Sequence, residues 1–112
     1  MAENMESFFE ISEIERRREA AKKLYQEFLR VRSMSAGVYT LAAGSTDPQK
    51  PHTEDELYFV VKGKARIQVG SADQAIAEGS VVFVGANVEH RFHDIAQELT
   101  VLVFFAPAEN PA

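Results

Sequence analysis

Three histidines occur in the chain, and two of them stand where an extended run meets a turn. His52 lies within the stretch Pro51-His52-Thr53-Glu54-Asp55-Glu56, and His90 within Asn87-Val88-Glu89-His90-Arg91-Phe92-His93. Imidazole and carboxylate together suit borderline divalent metals, so His52, Glu56 and His90 are the residues whose types could hold Fe, Mn, Ni, Zn or Cu. Two imidazoles and one carboxylate would leave coordination positions open for a substrate and for oxygen or water. The spacing alone admits a second reading, in which both histidines are hydrogen-bonded residues of the core or surface.

Other site chemistries find little support. The absence of cysteine removes disulfides, thiolate metal sites and a cysteine nucleophile, and makes a reducing, cytoplasmic location the expectation. The glycines match neither common phosphate-binding spacing, and no Ser-His-Asp arrangement is supported. His93, three residues past His90, should face the other side of a continuing strand and lie at the surface. Arg16-Arg17-Arg18 is flanked by Glu13, Glu15 and Glu19, so it reads as the solvated face of a helix rather than a phosphate or RNA site.

The elements that must position these residues follow from periodicity. Ser12 followed by Glu15 matches a helix capping box and predicts a helix over 13–24. Ile11, Ile14, Ala21 and Leu24 form its apolar side, while Glu13 with Arg17 and Glu19 with Lys23 pair on the solvated side. From Tyr25 onward, short alternating or fully apolar segments broken by Gly, Pro, Asn and Asp predict strands at 28–32, 37–41, 57–62, 65–69, 80–84, 89–93 and 99–105. That density of strands indicates a sandwich or barrel. Lys62-Gly63-Lys64 has the form of a tight hairpin joining two of them. If Glu56 and His90 point inward, Tyr58, Val60, Phe92 and Phe83 belong near them, with Tyr58 and Phe92 as candidate pocket residues. The segment 99–105 is apolar on both faces, which fits a central strand or one covered by a second subunit, and a homodimer is expected.

With 112 residues, 46% hydrophobic and 26% charged, the chain has the composition of one soluble globular domain. Twelve basic against seventeen acidic side chains give a charge of -5, so nucleic acid is not an expected partner. Residues 1–10 carry three glutamates and lack the basic and apolar segments of a secretory signal. The longest apolar run, 101–108, is under half of the roughly 20 residues a membrane helix needs, so no membrane partner is expected. The organisation read from the sequence is an N-terminal segment and helix at 1–24, a barrel at 25–106 and a loose tail at 107–112.

At the same histidines the sequence resembles the cupins. That family's first motif runs His, one residue, His, three or four residues, Glu, six residues, Gly. His52, Glu56 and Gly63 reproduce its second half in register. The second motif has Gly, five residues, Pro, one residue, Gly, two residues, His, three residues, Asn. Gly79, His90 and Asp94 fall at its first, His and last positions. The resemblance spans roughly 39–106 and implies an all-β, cupin-type double-stranded β-helix, a jelly-roll barrel with a short N-terminal helix. It also implies one divalent transition metal on His52, Glu56 and His90, and a small organic substrate or ligand, with dioxygenases, isomerases and decarboxylases among members of this type. Three positions depart from the pattern: Lys50 replaces the first His, and Gly85 and Asn87 replace the Pro and second Gly. Asn tolerates the left-handed conformation that glycine supplies. A protonated lysine cannot coordinate a cation, so Gln49 or Glu54 is the candidate additional ligand. Lys50 also favours an alternative, a non-catalytic binding or structural barrel that has lost the full metal site. There Lys50 would pair with Glu56 or with an anionic ligand.

Overall fold

The computed structural model describes residues 6–110; residues 1–5 of the expected N-terminal segment and 111–112 of the expected tail lie outside it. A helix, α1 (Ile11–Ala21), is followed by β1 (Tyr25–Val31), β2 (Met34–Leu41), β3 (Asp55–Val69), β4 (Ala72–Ala77), β5 (Val81–Val84) and β6 (His90–Ala106). The strands pair in the order β1-β2-β6-β3-β4, with β5 also on β3, and every pairing is antiparallel. No helix among the described residues is long and apolar enough to cross a membrane.

The spine is a ribbon of β3 and β6, running from Asp55 opposite Ala106 to Val69 opposite His90. On a flat ribbon, positions 56 and 69 of β3 would stand about 40 Å apart at the usual rise per residue. Yet His90, the ladder partner of Val69, has its ring 3.1 Å from the Glu56 carboxylate. The ribbon is therefore rolled on itself, and the core lies inside the roll.

Bulges produce that curvature. Inward side chains on β3 are Glu56, Tyr58 and Val60, then Ala65 and Ile67; on β6 they are His90 and Phe92, then Ile95, Leu99, Val101, Val103 and Phe105. The steps from Val60 to Ala65 and from Phe92 to Ile95 break the two-residue period, so each strand carries an odd residue there. Register shifts between Val60 and Arg66 and left-handed residues at Gly63 (φ 106) and Asp94 (φ 48) mark the sites. A Cβ on Gly63 would fall on the backbone of Glu98 and Leu99, so this glycine permits a close crossing. The expected hairpin at Lys62-Gly63-Lys64 is thus a bulge. The segments 57–62 and 65–69 form one strand, as do 89–93 and 99–105. In sequence a glycine supplies the left-handed residue of a turn and of a bulge alike.

β4 had no counterpart among the expected strands. Its sequence Ala-Asp-Gln-Ala-Ile-Ala buries only Ile76, so an exposed edge strand carried no apolar alternation. The helix also differs in detail. It begins at Ile11 with Glu10 as an N-cap that makes no side-chain bond, and stops at Lys22, whose φ is 56. Glu15, expected in a capping box, instead holds Arg18 at 2.6 Å and Thr40 Oγ1 at 3.0 Å. Arg18 is buried and also bonds the Lys23 carbonyl at 2.8 Å, so one of the three arginines expected on the solvated face anchors α1 to β2 through Glu15. Ile14 is buried as expected, whereas Leu24 lies beyond the helix and is 44% exposed.

Candidate functional site

β5 brings the two distant stretches together. Val84 lies opposite Glu56, and the turn that follows leads directly to His90. That turn is tied to the His52 loop: Asn87 N donates to the His52 carbonyl at 2.6 Å, and Ala86 N to Asp55 Oδ1 at 2.9 Å. Asn87 adopts the left-handed conformation, φ 65, at the position where the motif has glycine. His52, Glu56 and His90 each then offer one ligand atom, all within 4.8 Å of one another.

The outer nitrogen of each ring is occupied. His90 Nδ1 donates to the Val88 carbonyl at 2.9 Å, which leaves a lone pair on Nε2 when the ring is neutral. His52 Nδ1 lies 3.2 Å from Glu109 Oε2. Such partners fix ring orientation in metal sites. His90 Nε2 and Glu56 Oε1 lie 3.1 Å apart with side chains 1% and 2% exposed, but misaligned, so neither makes a hydrogen bond. Among the described residues, the buried side-chain N and O atoms left without a hydrogen bond are these two and the Tyr25 hydroxyl. Buried polar atoms are normally satisfied, and a cation between the carboxylate and the imidazole lone pairs would satisfy the first two. The residues present therefore fit a divalent metal.

The charges around the rings act consistently. The hydrogen bond to Glu109 holds His52 above its ordinary pKa, with Glu56 adding to it against the cost of burial. Burial lowers His90, but its contacts with Glu56 and the Val88 carbonyl outweigh it and the net shift is upward. Burial pushes the Tyr58 phenol well up, so it stays protonated.

Beside the rings lies a cavity of about 150 Å³, walled by Tyr25, Tyr39 and Tyr58, by Val103 and Phe105, and by Gln49, His52, Glu56 and Glu109. All three tyrosines of the chain are in this wall. A larger groove of about 520 Å³ runs along β4 and β5 and contains none of the three metal-ligand candidates, and another of about 260 Å³ reaches His90 and Gln49 alongside Arg91; the smaller cavity holds two of the three candidates, His52 and Glu56.

Expected residues fall in several places. Tyr58 lines the cavity. Gln49 does too, with Oε1 at 3.5 Å from His52 Nε2 and 3.3 Å from the Tyr58 hydroxyl. Glu54 is buried but faces the C-terminal segment, accepting from Thr53 Oγ1 at 2.7 Å and Asn110 N at 3.0 Å; it is not in the metal-ligand cluster. Lys50 is exposed, lines no part of the cavity and forms no ion pair with Glu56, since the chain turns it outward and presents Gln49 instead. Phe92 is core beneath the cavity, packed on Tyr58 at 4.9 Å, and not part of its wall. Phe83 is 61% exposed, because on β5 it is the neighbouring Val84 that faces inward. His93 lies toward the surface, as expected, paired with Asp73 at 2.7 Å and Asp94 at 3.1 Å.

Four site residues escaped the sequence reading. Asp47 accepts from the Tyr39 hydroxyl at 2.5 Å, Gln49 Nε2 at 2.8 Å and Phe92 N at 2.9 Å, and so organises the wall. Its bond to Gln49 N, two residues on, is an Asx turn, a signal that Asp47-Pro48 carried. Tyr25 and Tyr39 reach the cavity from β1 and β2. Glu109 comes from the segment expected to be loose, which over 107–110 is held by bonds to Arg32 O (3.4 Å), Ser35 Oγ (2.9 Å) and Glu54 Oε2 (3.0 Å).

A family model described as the cupin domain matches residues 37–106, more than half of the chain. The chain is a cupin. A Streptomyces coelicolor protein described as uncharacterized is 52% identical over 102 residues, covering 91% of this cupin and 97% of the relative. Among solved structures, an RmlC-like cupin of double-stranded β-helix fold from Methanocaldococcus jannaschii aligns with a TM-score of 0.67 at 19% identity, covering 74% and 78% of the two chains. The DMSP lyase DddQ from Ruegeria pomeroyi aligns with a TM-score of 0.63 at 25% identity, covering 68% of the cupin; the cupin spans only 39% of that chain.

Proposed function

We propose that this cupin holds one divalent transition metal on His52, Glu56 and His90 and binds or transforms a small organic molecule in the adjoining cavity. The observation that carries this reading is the buried, unpartnered face of Glu56 Oε1 and His90 Nε2, with each histidine's other nitrogen already engaged. Gln49 Oε1 is the additional oxygen donor in reach, standing where Lys50 cannot serve. When bound, a metal at such a site supplies Lewis-acid polarisation of a ligand oxygen, and iron with this donor set favours oxygen chemistry. The chain's own part is to fix the imidazole tautomers, exclude water with the three tyrosine rings and Phe105, and keep the cavity small. A dioxygenase, an isomerase or, by analogy with the aligned lyase, an eliminating enzyme all suit this frame. Elemental analysis of untagged protein should give about one metal per chain, and little in His52→Ala or His90→Ala. A metal-free parent whose stability is indifferent to both substitutions would instead support a binding or structural barrel. Oxygen uptake by the iron-loaded protein with small diketones, thiols and catechols separates an oxygenase from the other classes.

The alternative in which Lys50 recruits an anion loses its support, because the cavity wall contains no lysine or arginine. A homodimer has a specific surface in its favour. Phe104, Leu57 and Phe83 lie side by side across β6, β3 and β5, and Leu102, Phe59 and Val81 form the next row. Leu57 and Phe59 are each 39% exposed, Val81 and Phe83 each 61%. These two apolar rows face away from the interior and continue onto Ala36 and Val38 of β2, the part of the outer face beside which α1 packs, so α1 covers one end of this face and leaves the β3 and β5 end open. Uninterrupted by charge, they suit burial against the same rows of a second copy about a two-fold axis. Light scattering should give a dimer, and Phe83→Glu a monomer; a monomeric parent contradicts this arrangement.

A further inference from the structure

Of the three phenols in the cavity wall, two are engaged and one is not. Tyr39 donates to Asp47 Oδ1 and Tyr58 to Gln49 Oε1, so both serve the frame that holds the loop. The Tyr25 hydroxyl is shielded from solvent and has no partner. It is also held there at a cost to β2. A Cβ on Gly37 would fall on the Tyr25 ring, so the ring crosses the strand at the one residue with no side chain to block it. Glycine inside a strand weakens it, and its usual reason is a close approach of this kind. Edge contacts with Tyr39, centroids 6.4 Å apart, and Phe105, 6.5 Å, complete the seat.

We infer that Tyr25 is a ligand-binding residue, a fixed hydrogen-bond donor for an oxygen acceptor of the bound molecule, with Gly37 as the seat that aims it. This rests on the proposed use of the cavity and names the ligand class. An unpartnered buried donor costs stability, and an acceptor brought by a ligand removes that cost. The space bounds the part of a ligand that can enter: about 150 Å³ is the liquid volume of roughly five waters, below the roughly 300 Å³ at which ordinary small-molecule pockets begin. The wall carries Glu56 and Glu109 and no lysine or arginine, so a free anion is disfavoured unless a metal receives its charge. The part of the ligand that enters is therefore a compact carbonyl, hydroxyl or metal-directed acid group of a few heavy atoms, with one oxygen left for Tyr25.

Acetohydroxamate, small and rich in oxygen acceptors, is the probe. Cobalt-loaded protein is titrated with it and followed by the visible cobalt bands. The metal-free protein is titrated in parallel and followed by the near-ultraviolet difference spectrum, which reads only tyrosine and phenylalanine because the chain has no tryptophan. Tyr25→Phe should keep the cobalt bands and bind the probe about tenfold more weakly, the upper range for one neutral hydrogen bond. Gly37→Ala should weaken the probe similarly by displacing the ring, and should add no further loss in the Tyr25→Phe background. Equal probe affinity in parent and Tyr25→Phe overturns the inference, as does a parent that takes no probe in either form. A parent that binds no cobalt but shows the tyrosine shift, lost in Tyr25→Phe, overturns the metal reading and leaves Tyr25 in its role.

Discussion

Two histidine–carboxylate clusters sit three residues apart on β6, and their difference separates a site from a surface. His90 faces Glu56 with both side chains almost fully buried, and the facing atoms make no hydrogen bond. His93 faces Asp73 and Asp94, whose side chains are 39% and 75% exposed, and its two nitrogens are engaged at 2.7 and 3.1 Å. Arg66 completes that outer group by bonding Asp73 at 2.9 Å. The residue types are nearly the same. Inside the roll the polar atoms lack water and point at a common centre; outside, water and neighbouring charges satisfy each one. Chemistry is therefore assigned by burial and by what remains unpaired, and not by residue type.

The sharpest way to break this comparison is to remove each histidine in turn. His90→Ala should abolish metal binding, from about one ion per chain to near none by elemental analysis, whereas His93→Ala should leave the content unchanged. Equal losses in the two variants would make the outer cluster part of the site. Next in size is the positioning carboxylate. Glu109→Gln removes the charge that orients His52 and should weaken metal affinity about 10- to 100-fold in chelator competition, as outer partners of metal ligands typically do.

The pH response tests the same contrast more gently. In the metal-free protein His52 and His90 are both held above the ordinary value of 6.5. A histidine raised on folding contributes stability that is complete below its unfolded value and is lost as the pH rises through the folded one. The melting temperature of the metal-free protein should therefore fall as the pH climbs above 6.5. Metal content should rise over the same window, because coordination needs the deprotonated rings. Both trends should persist in His93→Ala and flatten in His90→Ala, as read by calorimetry. The smallest effect belongs to the surface. Asp73→Asn breaks an exposed pair and should leave the melting temperature essentially unchanged, the usual fate of solvated ion pairs.

The sequence by itself determined that the chain is an all-β barrel of the cupin family with a short helix. It also singled out His52, Glu56 and His90, because alternation, glycine spacing and ligand types are local properties. It misread Gly63 as a turn, since the left-handed residue of a bulge and of a hairpin look alike until the partner strand is known. Missed too were Asp47, Tyr25 and Glu109, whose roles depend on how the ribbon rolls. Only the tertiary structure decided that Lys50 faces solvent while Gln49 faces the cavity, that Phe92 is core, and that the chain's end returns to orient His52. The physical reason is that a strand's period assigns a residue to one of two faces. Which face becomes the interior, and which polar atoms are left there without partners, is fixed by contacts between residues far apart in the chain.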